Sequence, residues 1–208
     1  MPFAVDHIRQ FYPRLPREQI WHRLWYSTYV NVDRRYMYFA VPKAGATAMK
    51  TLFHRIENLP PLTYFTGPRQ VKRYMFIHDR RQFKLPSLID FDDRMQEKIL
   101  ISPKLFRFAI VRNPYSRLQS AWRDKVRACE PGYEYLYYDI KGTLPEGNDP
   151  RSIISFREFV QALRGQELEV ADAHWRLQEV LLFYSAIDFS LVGQLESPSK
   201  AVASFLQK

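Results

Sequence analysis

The sequence predicts an α/β fold, a parallel sheet flanked by helices. Three observations predict it. Short runs at 36–41, 74–77, 106–111 and 188–192 are rich in apolar residues, as buried parallel strands are. Segments of helical period lie between them, the alternation of α/β proteins. The 208 residues, 46% of them hydrophobic, suit one domain over 1–208, with 1–35 as an N-terminal extension.

Residues 1–35 read as mixed. Pro13 and Pro16 interrupt any long helix, while Ile20, Leu24 and Trp25 give a short one. The run 36–41 is aromatic and β-branched, and Pro42 ends it, so it reads as a buried strand. Beyond the loop 42–46, Met49, Leu52, Phe53 and Ile56 fall at i, i+3, i+4 and i+7, one face of a helix over 47–56. The second strand is 74–77. Residues 79–104 read as a loop with a short helix. The third strand, 106–111, is apolar except for Arg107, and Asn113-Pro114 ends it. Pro114 suits a first helical turn, and Leu118, Ala121, Trp122 and Val126 continue that helix over 115–126.

Residues 129–151 hold three prolines and three glycines around Tyr133, Tyr135, Tyr137 and Tyr138, and read as a long exposed loop. Those tyrosines suit either stacking on sugar rings or a satellite hydrophobic cluster, the plainer of the two. Ser155-Phe-Arg-Glu158 is a capping box. It opens a helix whose apolar face is Phe156, Phe159, Val160 and Leu163. A last helix over 173–184 carries Leu177, Val180, Leu181 and Tyr184, and the final strand is 188–192.

The formal net charge is +9, with 21 arginines and 10 lysines. Such a balance admits nucleic acid, a membrane surface, or an anionic cofactor or substrate. The single cysteine, Cys129, excludes internal disulfides and a Cys-rich zinc site. It has no neighbouring His or Lys pattern for nucleophilic work and reads as structural. No apolar run approaches the roughly 18 residues of a membrane span. The first residues lack the basic-then-apolar order of a signal peptide.

Two strand–loop–helix junctions concentrate the chemistry. At the first, Pro42, Lys43, Ala44, Gly45, Ala46, Thr47 and Ala48 follow a strand and open a helix. Free N–H groups and the helix dipole favour an anion there. Gly45 lets the backbone approach closely, Thr47 offers a hydroxyl, and Lys43 adds charge. It is not a Walker A loop, because its lysine precedes the glycine. The bland alternative is an ordinary β–α turn with an exposed lysine. At the second, Arg112 stands at the carboxyl end of a strand, where open α/β sheets bind ligands. Arg117 and Ser120 share a helix face beside it. The alternative there is a surface arginine with a satisfied helix serine. Together the two turns point to a nucleotide with two separated anionic groups.

Lys43-Ala-Gly-Ala-Thr47 resembles the 5′-phosphosulfate loop of sulfotransferases. Arg112-Asn-Pro-Tyr-Ser-Arg117-Leu-Gln-Ser120-Ala-Trp-Arg-Asp-Lys125 resembles their 3′-phosphate motif. The version most similar belongs to the Golgi carbohydrate sulfotransferases acting on chondroitin, dermatan and related glycans, and to their bacterial relatives. Ser155-Phe-Arg-Glu-Phe-Val160, His174-Trp175 and Phe189-Ser-Leu-Val-Gly193-Gln-Leu-Glu196 resemble later blocks in the same order, so the likeness covers about 36–197.

The resemblance implies a P-loop-like, three-layer fold with a central parallel sheet. It also implies 3′-phosphoadenosine 5′-phosphosulfate (PAPS) as donor, 3′-phosphoadenosine 5′-phosphate (PAP) as product, and no metal. It carries Lys43, Ala44, Gly45, Ala46, Thr47 and Ala48 to the 5′-phosphosulfate. It carries Arg112 and Ser120 to the 3′-phosphate, with Arg117 a companion of less defined role. Ala46 and Ala48 replace the family's usual polar side chains, but the backbone N–H groups remain. The Golgi enzymes carry an anchor and disulfides. Their lack here favours a cytoplasmic, bacterial-type soluble enzyme, a trimmed luminal catalytic domain being the alternative.

Sulfuryl transfer needs alignment, charge stabilisation and a base for the acceptor hydroxyl. Lys43 suits charge developing on the leaving phosphate oxygen. The resemblance places a catalytic histidine after a strand between the two motifs, where His78 stands; its plain alternative is a capped loop histidine. His174, read at the start of a helix beside Trp175, is the rival, with an acceptor-shaping role or packing as its other readings. Asp79 and Asp124 are acidic alternatives. Arg80 and Arg81 read either as receptors for an anionic acceptor or, more plainly, as a solvated pair. The expected partner is a carbohydrate or another hydroxyl-bearing acceptor, with neither nucleic acid nor a membrane span. A nucleic-acid-binding module, a small-molecule kinase and a form that keeps the cofactor site without catalysis stand as alternatives. Scattered cations count against the first, and the missing Walker lysine against the second.

Overall fold

Residues 2–59, 79–80, 84–147 and 152–197 are described by the computed structural model. The strand expected at 74–77, together with His78 and Arg81, lies outside those residues. The chain divides into two compact units, Met1–Val111 with Gln178–Lys208, and Arg112–Leu177.

The first unit is built on a four-stranded sheet among the described residues, in the order β1-β2-β3-β4. Strand β2 (Tyr36–Phe39) pairs in parallel with β3 (Phe106–Val111), and β3 with β4 (Leu191–Gln194). Strand β1 (Thr28–Asn31) runs antiparallel to β2, so the sheet is mixed rather than wholly parallel. The cause is local. Arg35 N–H donates to the Val32 carbonyl at 3.2 Å, and Arg35 takes φ 55°. That tight turn folds the chain straight back, which only an antiparallel pair permits.

Residues 1–35 therefore hold more order than their sequence shows. Helix α1 (Phe3–Phe11) buries Ala4, Val5 and Ile8, and α2 (Arg17–Ser27) buries Ile20 and Leu24. Helix α3 (Ala46–Ile56) follows the loop after β2. Asp92 caps α4 (Asp93–Ile101) by accepting from the Met95 N–H. The core packs Tyr29, Tyr36 and Tyr38 with Met49, Phe53, Phe108 and Ile110.

Arg107, the polar exception in β3, is 3% exposed. Its guanidinium donates to the carbonyls of Ile99 (3.1 Å), Ser102 (2.9 Å) and Asp188 (2.6 Å). A buried charge satisfied in this way ties three segments together. Helix α8 (Gln178–Leu182) is shorter than the expected 173–184, because residues 173–175 form a turn and Phe183 takes φ 51°. The final strand starts at Leu191 rather than at 188.

In the second unit, α5 (Pro114–Ala121) starts on an Asn113 cap whose side chain accepts from Tyr115 N–H (3.0 Å) and Ser116 N–H (3.3 Å). The helix expected to run on to 126 changes pitch to a π-helical turn, Trp122–Val126. The expected loop 129–151 contains α6 (Glu134–Lys141). Tyr133, Leu136, Tyr137 and Ile140 have helical spacing, hidden in sequence by the flanking prolines and glycines. Tyr137 is fully buried, whereas Tyr135 and Tyr138 are exposed. The capping box forms as expected at α7 (Phe156–Leu163), with Ser155 and Glu158 bonding reciprocally. Ala121, Val126, Leu136, Tyr137, Phe159 and Trp175 make this unit's core.

Candidate functional site

The first of the two expected loops leaves β2 through Ala40, whose N–H donates to the Ser27 carbonyl at 2.8 Å. Ala44 N–H closes a turn on the Val41 carbonyl at 3.2 Å, and the Ala44 side chain is buried. Lys43 takes φ 63° and Gly45 φ 81°. Positive φ is tolerated by glycine and costly for lysine. Gly45 is the N-cap of α3 and no side chain caps it. The first-turn N–H groups of Ala46, Thr47 and Ala48 are the ones a helix leaves for outside acceptors, at its positive end. A Cβ on Gly45 would lie 2.9 Å from Leu195 Cδ1. Conformation is what asks for glycine there, and any side chain would also push the flexible end of Leu195 aside.

One residue past this first turn stands Lys50, which the sequence reading did not single out. It is 1% exposed. Its Nζ lies 5.1 Å from the centre of the Tyr29 ring and 5.3 Å from that of Tyr26. Burial, with help from Arg80 and Arg23, pulls its pKa down to about 7. Arg80 lays its guanidinium over the Tyr29 ring at 4.6 Å, and its side chain is buried. The solvated pair expected of it and Arg81 is corrected for Arg80, because an aromatic face shelters a guanidinium well. Arg23 donates to the Ala40 carbonyl at 2.7 Å and to the Leu181 carbonyl at 2.9 Å.

In the second unit, Arg112 Nε donates to Ser116 Oγ at 3.1 Å. Ser120 is half-buried on the next turn of α5. Arg117 differs from its expected pairing with Ser120. It is 4% exposed, and its fork donates to the carbonyls of Ala173 (2.8 Å) and Arg176 (2.9 Å). Burial lowers its pKa to about 10, against the opposing pull of Asp172.

His174 lies in the turn that Arg117 holds, not at a helix start. Its Nδ1 is 2.8 Å from Asp172 Oδ1 and 2.8 Å from the Tyr133 hydroxyl. The same Asp172 oxygen accepts from the His174 backbone N–H at 2.8 Å. Burial works to raise the Asp172 pKa, but hydrogen bonds from His174 and Tyr133 outweigh it and leave the carboxyl below its ordinary value. The Asp-x-His spacing was visible in sequence, and Tyr133, far off along the chain, was not. Among the described residues no group of three His, Cys, Asp or Glu is placed to hold a metal ion. None of their helices is long and apolar enough to cross a membrane.

The sequence comparisons decide the family. The sulfotransferase family matches residues 26–208. The chain belongs to it. Among curated sulfotransferases, carbohydrate sulfotransferase 10 of Xenopus laevis is 27% identical over 81% of this chain and 49% of its own length. Human carbohydrate sulfotransferase 9 is 25% identical over 86% of the chain and 40% of its own. Carbohydrate sulfotransferase 14 of Danio rerio is 25% identical over 86% and 47%. The chain thus spans about half the length of the curated sulfotransferases it matches. No solved structure matches significantly.

Proposed function

We propose that the chain transfers a sulfuryl group from PAPS to a hydroxyl of a carbohydrate acceptor. The observation that carries this reading is the loop between β2 and α3. A family member presents there a left-handed lysine, a left-handed glycine and an uncapped helix N-terminus. A sulfate or phosphate fits such a cradle, since a glycine without Cβ lets the backbone close on it. The parallel pairing of β2, β3 and β4 supports a P-loop-like, three-layer arrangement. Three relatives named carbohydrate sulfotransferases support a sugar acceptor. The excess of cations suits an anionic one.

When bound, the donor supplies the sulfuryl group, whose bond to the 5′-phosphate oxygen breaks as the bond to the acceptor oxygen forms. Lys43 and the N–H groups of Ala46, Thr47 and Ala48 hold the 5′ end, with Ala44 and Gly45 shaping the loop. Lys43 steadies the negative charge left on the phosphate oxygen. Arg112 and Ser120 hold the 3′-phosphate, and Arg112 is oriented by Ser116. Arg117 serves the site by holding the turn of His174. His174 takes the proton of the acceptor hydroxyl at Nε2, since Nδ1 is engaged with Asp172. His78 is the second reading, favoured by its place between the two motifs. No observation favours the nucleic-acid or kinase reading.

Calorimetry with PAP tests the donor site. The purified chain binds it, and Lys43→Ala or Arg112→Ala weakens binding by tenfold or more. A wild-type chain that does not bind PAP sinks the proposal. Labelled donor offered to a panel of glycans identifies the acceptor, and His78→Ala beside His174→Ala identifies the base.

A further inference from the structure

We propose that Asp172 and Tyr133 are positioning residues that hold His174 as its Nδ1–H tautomer, so that Nε2 is the atom that accepts the acceptor's proton. This rests on the reading of His174 as the base.

The geometry places a proton on Nδ1. Asp172 Oδ1 and His174 Nδ1 are 2.8 Å apart. An ionised carboxylate only accepts, so the proton between them belongs to Nδ1. Tyr133 Oη is also 2.8 Å from Nδ1 and therefore accepts a share of the same proton. Its own hydroxyl proton then points to Asp172 Oδ2, 3.4 Å away. His174 Nδ1 only donates, Asp172 only accepts, and Tyr133 does both between them. Burial and the nearby Asp172 raise the Tyr133 pKa, so the phenol keeps the proton that this circuit requires. With Nδ1 committed to the proton, Nε2 is the ring nitrogen left to accept one in the neutral tautomer.

The frame under the ring is fixed independently. The Asp172 carbonyl accepts from Trp175 N–H (3.0 Å) and Arg176 N–H (2.8 Å), which closes the turn. Arg117 clamps the carbonyls of Ala173 and Arg176. Tyr133 is itself seated, its ring 6.1 Å from that of Trp175 and 5.5 Å from Lys125 Nζ. The Trp175 indole donates to Gln166 at 3.1 Å. A histidine that only packed would need a contact or two. Here one carboxylate oxygen sets both the backbone and the ring of His174. Such support holds a reacting group to its working geometry. In the step itself, the acceptor O–H bond breaks and its electrons form the new O–S bond, while the sulfur's bond to the 5′-phosphate oxygen of PAPS breaks and its electron pair leaves with PAP. The proton moves to Nε2, and the imidazolium later releases it to water. Asp172 stays ionised throughout and steadies the cation formed beside it.

The test is nitrogen NMR of histidine-labelled chain, with PAP release from PAPS in the presence of chondroitin measured in parallel. The wild type shows a protonated Nδ1 and a bare Nε2 for His174, assigned by its loss in His174→Ala. Asp172→Asn moves the proton to Nε2, and PAP release falls on the order of 10²–10⁴-fold. Tyr133→Phe keeps the ring and its packing, and lowers kcat about tenfold. PAP affinity stays within about threefold in both variants, which shows that they remain folded. A wild-type ring protonated on Nε2 overturns the proposal. So does full activity in Asp172→Asn while His174→Ala is inactive, which spares the base and removes only the positioning. Full activity in His174→Ala overturns the underlying reading of the base instead.

Discussion

Arg117 Nη2 donates to the Ala173 carbonyl at 2.8 Å, and its Nη1 reaches the Arg176 carbonyl at 2.9 Å. One guanidinium thereby ties α5 to a turn that is remote along the chain. Removing it leaves two carbonyls without these donors, at about 1.5–3 kcal/mol for each charged hydrogen bond. Arg117→Met is therefore expected to destabilise by about 3 kcal/mol and to lower the melting temperature by roughly 6–12 °C. PAP affinity measured below the melting range stays near wild type. Loss of PAP affinity with an unchanged melting temperature would place Arg117 on the nucleotide instead.

Gly45 carries two separable constraints, φ 81° and a Leu195 Cδ1 that would lie 2.9 Å from any Cβ. Gly45→Ala is expected to cost about 1–2 kcal/mol from the left-handed backbone alone. The steric part comes on top of that. Adding Leu195→Ala relieves the second part only, so denaturation midpoints of the double variant recover incompletely beyond the cost of Leu195→Ala itself. Full recovery would show that the backbone bears no strain.

Lys50 makes stability depend on pH in an uncommon range, on the alkaline side of neutrality. Its pKa drops from the ordinary lysine value of 10.5 to about 7 on folding. Between those values the unfolded chain binds more protons than the folded one, so stability from this group rises with pH across that window. The gradient is at most about 1.4 kcal/mol per pH unit. Urea denaturation of the wild type at pH 7, 8 and 9 should show rising stability. Lys50→Met should be the more stable protein at pH 7 and should lack most of the slope. An unchanged slope in Lys50→Met would assign it to other groups.

The capping box at α7 has an acid limit. Hydrogen bonds from Lys141 and Ser155 lower the Glu158 pKa from 4.5 to about 2. Its contribution is complete above pH 4.5 and disappears as pH falls towards 2, and solvent screening keeps it small. Ser155→Ala is expected to cost about 1 kcal/mol at neutral pH. Circular dichroism melts at pH 7 and pH 3 check both statements. A Ser155→Ala variant as stable as wild type at pH 7 would contradict the first.

What the sequence reveals follows how locally each feature is determined. Helix α3 is legible because Met49 and Phe53 repeat at helical spacing after a glycine. Helix α5 is legible because Asn113-Pro114 supplies both its cap and its first turn. Strand β1 is only four residues, and pairing with β2, from Thr28 opposite Phe39, makes it a strand. Nothing within Thr28–Asn31 demands that state, since strand preference depends on neighbours. The sequence does not show that Arg107, Arg117 and Lys50 are buried. Their burial follows from carbonyls and aromatic rings supplied by other segments. The lysine and glycine of the cradle are local, whereas Tyr133 reaches His174 only after α6 and α7 have packed.

Parallel neighbours such as β3 and β4 need a crossover of only about a dozen residues. Here the whole of Arg112–Leu177 lies between them, and the chain rejoins the first unit at Gln178. That crossover carries Arg112, Ser120, Tyr133, Asp172 and His174, while Lys43 and Gly45 belong to the sheet-bearing unit. The molecule thus has a modular grammar. A chimaera that exchanges residues 112–177 with those of a relative replaces Arg112, Ser120 and the Tyr133–Asp172–His174 cluster together and leaves the glycine loop on its own strand untouched.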